Sequence, residues 1–171
     1  MNLQPILESE LLIVRPLTEN DFSQLYKAAQ DPLIWEQHPQ PDRYKPETFK
    51  KFFDEALNSK GAVVIIDKKN SQIIGSSRFY DYLPEESSIL VGYTFLSKKY
   101  WGGLYNKDLK KLMVNYALDY VKTVYFQVGT KNIRSQKALQ KIGAINTGIQ
   151  NVEVSYAPPK PSFIYKLEQK L

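Results

Sequence analysis

A pair of glycines ahead of a long helical segment is the first feature of this 171-residue sequence that could do chemistry. Gly102 and Gly103 stand between a strand-like run and a helix-like run. At a helix start the backbone N–H groups are unpaired and the helix dipole adds about half a positive charge, so such a segment binds phosphate-like anions. Lysines crowd the same stretch, namely Lys98, Lys99, Lys107, Lys110 and Lys111. Taken alone, these residues favour a plain interpretation, a tight turn beside a solvated lysine surface, because short glycine motifs often match by chance.

A second candidate segment begins about 30 residues further along the chain. Asn132 follows a strand-like run, and Ser135 stands three residues later, where a helical pattern begins. Asn is a favoured residue at a helix start, because its side chain accepts a backbone N–H there. Gly143 ends this predicted helix. The two segments together predict two helix starts, each preceded by a strand-like run.

The elements that must position these segments follow from the spacing of apolar residues. Apolar alternation and turn residues predict strands at 10–17, 62–67, 73–80, 88–96, 124–128, 144–150 and 162–167. Helical spacing predicts helices at 22–29, 46–57, 109–121 and 135–142. The short connections between the second, third and fourth strands predict an antiparallel meander. Prolines in 157–161 predict a loop there. The order of elements predicts a mixed sheet with helices on both faces.

Both candidate segments, in this order, resemble the GNAT superfamily of N-acetyltransferases. The resemblance is carried by Tyr100-Trp-Gly-Gly103 and by Asn132-x-x-Ser135 followed by Lys141-x-Gly143, and it covers essentially the whole chain. Residues 11–22 resemble the first strand and helix of the branch that contains ribosomal-protein N-terminal acetyltransferases. The resemblance implies one GNAT-like α/β domain over residues 1–171, with a central, mostly antiparallel, twisted sheet of about seven strands. It also implies acetyl-CoA as co-substrate.

The resemblance assigns cofactor contacts to three parts of the chain. The loop ahead of the third helix would give backbone amides to the pyrophosphate of acetyl-CoA, through Trp101, Gly102, Gly103, Leu104, Tyr105 and Asn106. Leu104 stands where the family has glycine, so we expect Gly103 to take the unusual backbone dihedrals. The strand ending in Phe95 and Leu96 would pair with the pantetheine, Asn132 would hydrogen-bond that arm, and Arg134 and Ser135 would lie near the phosphates.

Several residues are candidates for removing the proton from an acceptor amine. Many relatives carry a Glu where this chain has Leu90. His38, Asp81 and Glu85 are the candidate bases, and the ordinary pKa of histidine near 6.5 suits this task. Each also has a plain structural interpretation, His38 as a packed or solvated loop residue and the two carboxylates as turn residues. A chain of water molecules is a further alternative.

Aromatic and basic residues predict the wall of an acceptor pocket. Trp35, Tyr44, Arg78 and Tyr80 adjoin the predicted cofactor strand in the topology that the resemblance implies. Alternate residues of the segment 78–82 would equally face the core, as in any strand.

Composition excludes several kinds of site. The chain has no cysteine and one histidine, which excludes disulfides, thiolate zinc sites and multi-histidine metal sites, so we expect no metal. Without a cysteine nucleophile, direct transfer of the acetyl group is favoured, although serine and lysine intermediates stay open.

No apolar run is long enough for a membrane span and residues 1–10 do not resemble a leader, so we expect a cytoplasmic protein. Both a monomer and a homodimer fit.

Three functional hypotheses follow. The first is transfer of an acetyl group from acetyl-CoA to a primary amine of a small molecule or a protein N-terminus. The second, prompted by Leu90 and Leu104, is a catalytically silent module that binds acyl-CoA. The third is a nucleic-acid-binding domain, since the formal net charge is +5. We rank it last because the lysines interleave with the apolar residues of the third helix, so nucleic acid is not an expected partner.

Overall fold

Eight strands form one sheet in the described residues 1–154 and 157–171 of the computed structural model. The strands are β1 (Leu7–Glu8), β2 (Leu12–Pro16), β3 (Ala62–Asp67), β4 (Gln72–Leu83), β5 (Ser88–Leu96), β6 (Thr123–Gly129), β7 (Ile145–Val154) and β8 (Ala157–Leu167). Their order across the sheet is β1-β2-β3-β4-β5-β6-β8-β7. All neighbours are antiparallel except β5 and β6. The predicted mixed, mostly antiparallel sheet is confirmed, with β1 as an additional short strand.

The parallel pair β5 and β6 separates soon after it begins. Only three residues of each strand are in register, with Ser88, Ile89 and Leu90 of β5 opposite the first residues of β6. β5 then continues to Leu96 and β6 to Gly129. Beyond Leu90, the side of β5 that faces β6 therefore carries backbone groups without a strand partner. This opening positions the candidate site.

Four helices cover the two faces of the sheet in the described residues. They are α1 (Phe22–Ala29), α2 (Pro46–Asn58), α3 (Leu104–Ala117) and α4 (Ile133–Gln140). One apolar cluster joins α1 and α2 to the sheet through Leu25, Phe49, Phe52, Phe53, Val64 and Phe95. A second cluster joins α3 and α4 to the opposite face through Leu109, Met113, Leu139, Val63, Ile65, Phe79 and Val91. The helices on both faces confirm the prediction, and none is long and apolar enough to span a bilayer.

The proline-rich segment 157–161 is part of β8, so the prediction of a loop there was wrong. β8 pairs with β6 only between Ser162 and Leu167. From Ala157 to Pro161 its partner is β7 alone. The other side of this part of β8 has no strand partner. Proline is tolerated there, because no carbonyl oxygen of a neighbouring strand needs the N–H that proline lacks.

The ends of α3 and α4 also differ from the predicted ranges. α3 begins at Leu104 with Gly103 as the capping residue, and it ends at Ala117. Val121 is buried in the turn that follows, so the apolar pattern extends beyond the helix itself. α4 begins at Ile133, because the Asn132 side chain caps it by accepting the N–H of Ser135. Gly143 follows this helix in the left-handed region, with φ of 79°.

The close approach of β4 to β5 at Gly75 gives a testable consequence. A Cβ atom on Gly75 would lie 2.1 Å from the carbonyl oxygen of Phe95. We expect Gly75→Ala to lower the free energy of unfolding by about 1–3 kcal/mol, because the two strands must separate to admit the methyl group. Urea unfolding measures this difference. Gly103→Ala is the control, since nothing lies within 4 Å of a Cβ there. Equal losses in both variants would contradict the expectation.

Candidate functional site

A cavity of about 140 Å³ lies where β5 and β6 diverge. Residues of both strands form its walls, together with the segment between α1 and α2, the inner sides of α3 and α4, and the ends of β7 and β8. Its lining includes Trp35, His38, Arg43, Tyr80, Gly92, Tyr93, Thr94, Lys110, Phe126, Gln127, Asn132, Ser135 and Glu153. We call this cavity the cleft.

A bulge bends β5 within the cleft. The register between β4 and β5 shifts at Ser76 to Arg78, so Tyr93 and Thr94 have only Ser77 opposite them. Tyr93 takes a left-handed backbone conformation with φ of 52°. Such a conformation costs a non-glycine residue of order 1–3 kcal/mol and is concentrated at functional sites. Bulges likewise occur next to active sites, where they redirect a strand.

The loop ahead of α3 is held by hydrogen bonds to the neighbouring strands. The Tyr100 hydroxyl donates to Asp67 Oδ2 at 2.9 Å, and the Tyr105 hydroxyl to Asp67 Oδ1 at 3.3 Å. The Trp101 indole donates to the carbonyl oxygen of Leu96 at 2.9 Å. These contacts fix the N-terminal end of α3 against the sheet. The unpaired N–H groups at this end are the potential anion ligands.

Backbone geometry in this loop corrects one expectation. Gly102, not Gly103, has a positive φ, of 70°. Gly103 is extended, with φ of −106°, because it caps the helix that starts at Leu104. The Leu104 side chain is 68% exposed, so it points away from the protein and does not cover the helix start.

Asn132, Arg134 and Trp101 connect the two sequence-predicted segments. The Arg134 Cζ lies 3.9 Å from the centroid of the Trp101 ring. Arg134 also donates to the carbonyl oxygens of Leu33 and Ile34, so it joins α4 to the segment after α1. Asn132 lines the cleft while its Oδ1 caps α4. Ser135 lines the cleft as well. The loop before α3 and the start of α4 thus lie side by side.

Phe95 and Leu96 stand at the end of β5 without lining the cleft. Both side chains are buried, Phe95 in the cluster under α2 and Leu96 in the cluster under α3. Only their backbone groups are available to a ligand, and the Leu96 carbonyl already accepts from Trp101.

His38 is enclosed by hydrogen-bond donors. Its Nδ1 accepts the N–H of Gln40 at 3.0 Å, and its Nε2 lies 3.1 Å from Arg43 Nη1. Burial, followed by the charges of Arg43 and Lys160, lowers the pKa of His38 well below its usual range. The imidazole is therefore neutral at pH 7 and has a single acceptor nitrogen, while a protein N–H group lies within hydrogen-bond distance of each ring nitrogen.

The carboxylates near the cleft are not those singled out by sequence. Asp81 and Glu85 are exposed beside the turn between β4 and β5, and neither is among the described residues that line the cleft. Glu153 on β7 does line it, and its side chain is exposed. Sequence reasoning gave no signal for Glu153, because its place depends on the pairing of β7 with β8. No cluster of metal-ligating side chains is present in the part of the chain that the structure describes.

The predicted acceptor residues fall into two groups. Trp35 and Tyr80 line the cleft, and the Tyr80 ring meets the Tyr93 ring at 5.2 Å. Burial raises the pKa of Tyr80, so its phenol stays protonated. Tyr44 and Arg78 are not lining residues. Arg78 is buried, with its Cζ 4.0 Å from the centroid of the Tyr93 ring.

Lys110 is buried at the cleft, so the prediction of a solvated lysine surface is wrong for this residue. Its Nζ lies 3.5 Å from Thr94 Oγ1 and 4.8 Å from the centroid of the Phe126 ring. No ion pair of Lys110 is found in the described residues. Burial lowers the pKa of Lys110 to about 8. The other lysines of this stretch are exposed, as predicted: Lys98, Lys99, Lys107 and Lys111.

Comparison with protein families gives one match. Residues 12–145 match the family model described as Acetyltransferase (GNAT) domain. None of the curated protein sequences matches this chain.

Solved structures of acetyltransferases share the fold. A putative acetyltransferase from T. thermophilus is 22% identical, with a TM-score of 0.79 over 96% of this chain and 89% of its own. A putative ribosomal-protein-serine acetyltransferase from Vibrio cholerae is 12% identical, with a TM-score of 0.81 over 99% of this chain and 100% of its own. The microcin C7 self-immunity acetyltransferase MccE, in complex with acetyl-CoA and AMP, is 13% identical, with a TM-score of 0.77 over 94% of each chain. At these identities the similarity shows the fold alone.

The buried Lys110 predicts a pH-dependent stability. The ordinary pKa is 10.5, and burial lowers it to about 8. Between these values the unfolded chain binds a proton that the native chain lacks, so the free energy of unfolding rises with pH. The pKa difference corresponds to about 3 kcal/mol. We expect Lys110→Met to have a higher free energy of unfolding than the wild type at pH 7. This difference should decrease toward pH 10.5.

Urea unfolding of both proteins from pH 7 to pH 10 measures this difference in the free energy of unfolding. The contribution of the titrating tyrosines cancels in the difference, because both chains contain them. Lys111→Met, an exposed neighbour on α3, should show no pH-dependent difference. A gap that stays constant with pH would show that Lys110 is not desolvated.

Proposed function

The chain belongs to the GNAT acetyltransferase family, and from that premise we propose that it transfers an acetyl group from acetyl-CoA to a primary amine. The acceptor is a small molecule or a protein N-terminus. The observation that carries the proposal is the opening between β5 and β6, with the starts of α3 and α4 joined beside it by Arg134 and Trp101. This arrangement combines an unpaired strand edge with the free N–H groups at the start of α3 and with the side chains of Asn132 and Arg134 at the start of α4.

The residues present fit a thioester cofactor with a diphosphate. The N–H groups from Gly102 to Asn106 suit the diphosphate, since the start of α3 is positive and Leu104 leaves it open. The edge of β5 beyond Leu90 suits an amide-containing arm, which can pair with it as a strand would. Asn132 Nδ2 is a further donor in the cleft, since Oδ1 is the atom that caps α4.

Acetyl-CoA supplies the acetyl group as a thioester, and the chain has no cysteine to accept it, so we propose direct attack by the amine in a ternary complex. The backbone N–H groups at the bulge of β5 are donors for the negative charge that develops on the carbonyl oxygen. Lys110 and Arg43 add positive charge to the cleft. Nearby positive charge lowers the pKa of an ammonium group, so it increases the fraction of free amine.

We assign the proton acceptor to Glu153. His38 has an N–H donor at each ring nitrogen, so neither nitrogen is directed at a substrate. Asp81 and Glu85 remain candidates only for a relay through water, because both lie outside the lining. Glu153 is the one carboxylate among the described lining residues, and its exposed side chain is accessible to a substrate.

Cofactor binding tests the proposal directly. We expect isothermal titration to detect binding of acetyl-CoA to the wild type. Arg134→Met should weaken it about tenfold or more, because a guanidinium beside the diphosphate is lost. Lys137→Met is the matched control, as this lysine is exposed on the same helix. No binding at millimolar acetyl-CoA would refute the proposal.

Release of the free thiol with a panel of amines separates catalysis from binding alone. We expect release that depends on the acceptor amine. A chain that binds acetyl-CoA without such release would instead be a silent acyl-CoA-binding module, which the replacement of the usual glutamate by Leu90 would then explain.

The assignment of the proton acceptor has its own test. Glu153→Gln should lower kcat about 100-fold or more near pH 7, because a positioned base contributes that much. The loss should shrink at high pH, where the amine is already neutral. Asp81→Asn is the control and should retain the wild-type rate. If Glu153→Gln keeps full activity while Asp81→Asn loses it, the base is Asp81.

A further inference from the structure

Two buried arginines lie beside Tyr93 without an ion pair in the described residues. Arg43 is 2% exposed and Arg78 is 5% exposed. Arg43 lines the cleft, and Arg78 lies against the Tyr93 ring that forms part of its wall. A buried guanidinium is normally paired with a carboxylate, because its desolvation is costly otherwise. Two such groups at one site therefore need an explanation.

Arg78 is the less satisfied of the two. Its Nε and Nη2 are buried and have no hydrogen-bond partner among the described residues. Its guanidinium lies over the face of the Tyr93 ring, with Cζ 4.0 Å from the ring centroid. Burial lowers the pKa of Arg78, which shows how poorly the surroundings compensate its charge. An apolar residue at this strand position would avoid that cost.

Arg43 is held in place by neutral partners. Its Nε and Nη2 donate to Gln40 Oε1 at 3.0 and 2.6 Å, and its Nη1 faces His38 Nε2 at 3.1 Å. Its Cζ lies 4.5 Å from the centroid of the Phe52 ring. A guanidinium has five N–H groups, so these contacts leave one N–H on each terminal nitrogen. The group is oriented but its charge is not neutralised.

The surrounding charges do not balance the two arginines. Glu55 raises the pKa of both arginines, yet it forms an ion pair with neither. Lys110 adds a third buried cation to the cleft. Glu153 is the single carboxylate in the described lining. The excess of positive charge fits an anionic ligand.

The position of the arginines argues against the diphosphate of the cofactor as that ligand. Arg43 belongs to the segment between α1 and α2, and its guanidinium packs on Phe52 of α2. Arg78 is paired across the sheet with Ala62, which belongs to the cluster under α1 and α2. The start of α3, which suits the diphosphate, belongs to a helix that covers the other face.

We propose that the acceptor amine carries a carboxylate, and that Arg43 and Arg78 bind this carboxylate. Guanidinium groups match carboxylates in a bidentate geometry, which supplies two parallel charge-assisted hydrogen bonds. Arg43 contacts the carboxylate from the cleft wall, and Arg78 adds its positive charge from behind the Tyr93 ring. The substrate class is thus amino acids or compounds with an amine and a nearby carboxylate. This inference rests on the proposed acetyl transfer.

An amino acid and its carboxamide test the inference, because they differ only at the proposed anchor. We expect the full-length protein with acetyl-CoA to show at least about tenfold higher kcat/KM for leucine than for leucinamide. The carboxamide has the more easily deprotonated amine, so intrinsic reactivity opposes this preference. Arg78→Met and Arg43→Met should reduce the preference to near unity, and Arg78→Lys should keep part of it. Lys27→Met, which removes an exposed charge on α1, should keep all of it.

Binding of the product analogue N-acetylleucine gives a readout that does not depend on turnover. It should raise the melting temperature of the wild type and of Lys27→Met, but not that of Arg78→Met. Arg78→Met should fold at least as well as the wild type without ligand, because it removes an unpaired buried charge.

The outcomes distinguish this inference from the proposed function. Acetylation of leucine and leucinamide with equal kcat/KM, unchanged in Arg78→Met, would overturn the inference and leave acetyl transfer intact. A stronger preference for O-phosphoethanolamine would overturn the carboxylate assignment in favour of a phosphate. Failure to bind acetyl-CoA would refute the proposed function, while the melting-temperature shift would still decide whether the arginines bind a carboxylate.

Discussion

The separation of β5 from β6 after three paired residues is the constraint on which the rest of the structure depends. A buried strand edge without partners is unfavourable, because its N–H and C=O groups lose water without gaining hydrogen bonds. The chain maintains this edge by covering both faces of the sheet around it, with α1 and α2 on one side and α3 and α4 on the other. The bulge at Tyr93 bends β5 away from a position in which it could continue the ladder. The cleft is therefore a consequence of how the helices pack.

The residues around this edge favour binding over stability. Lys110, Arg43 and Arg78 are buried cations, and an apolar residue of similar size at any of the three positions would fold at lower cost. A ligand that supplies the missing negative charge stabilises only the native state, so occupancy and stability rise together. The segment that carries Arg43 is itself held by a distant contact, since Lys160 of β8 donates to the Pro39 carbonyl oxygen at 2.7 Å. β8 thus supports the segment that carries His38 and Arg43.

Sequence alone predicted the elements that depend on local periodicity, and missed features that depend on distant packing. The helices, the antiparallel meander and the two helix starts follow from apolar spacing and from glycine and asparagine, which act on their own neighbours. Lys110 looked like a solvated lysine because helical spacing does not reveal that the sheet opens beneath α3. The strand at 157–161 was missed because proline is excluded only where both sides of a strand are paired. Glu153 reaches the cleft through that same strand pair.

The structure from Vibrio cholerae shares this fold at 12% identity over nearly the full chain, so very few identical side chains are needed to specify the fold. In this chain, apolar residues on both faces of the sheet form the core, and Gly75 permits the close approach of β4 to Phe95. Side chains whose burial destabilises the fold indicate function instead. Arg78 stands in a central strand opposite Gly92, where two of its buried nitrogens have no hydrogen-bond partner among the described residues and it forms no ion pair with them. A buried sheet position that keeps such a cation at a cost to folding is a candidate functional position, and this is the reasoning behind the proposed role of Arg78 in binding an acceptor carboxylate.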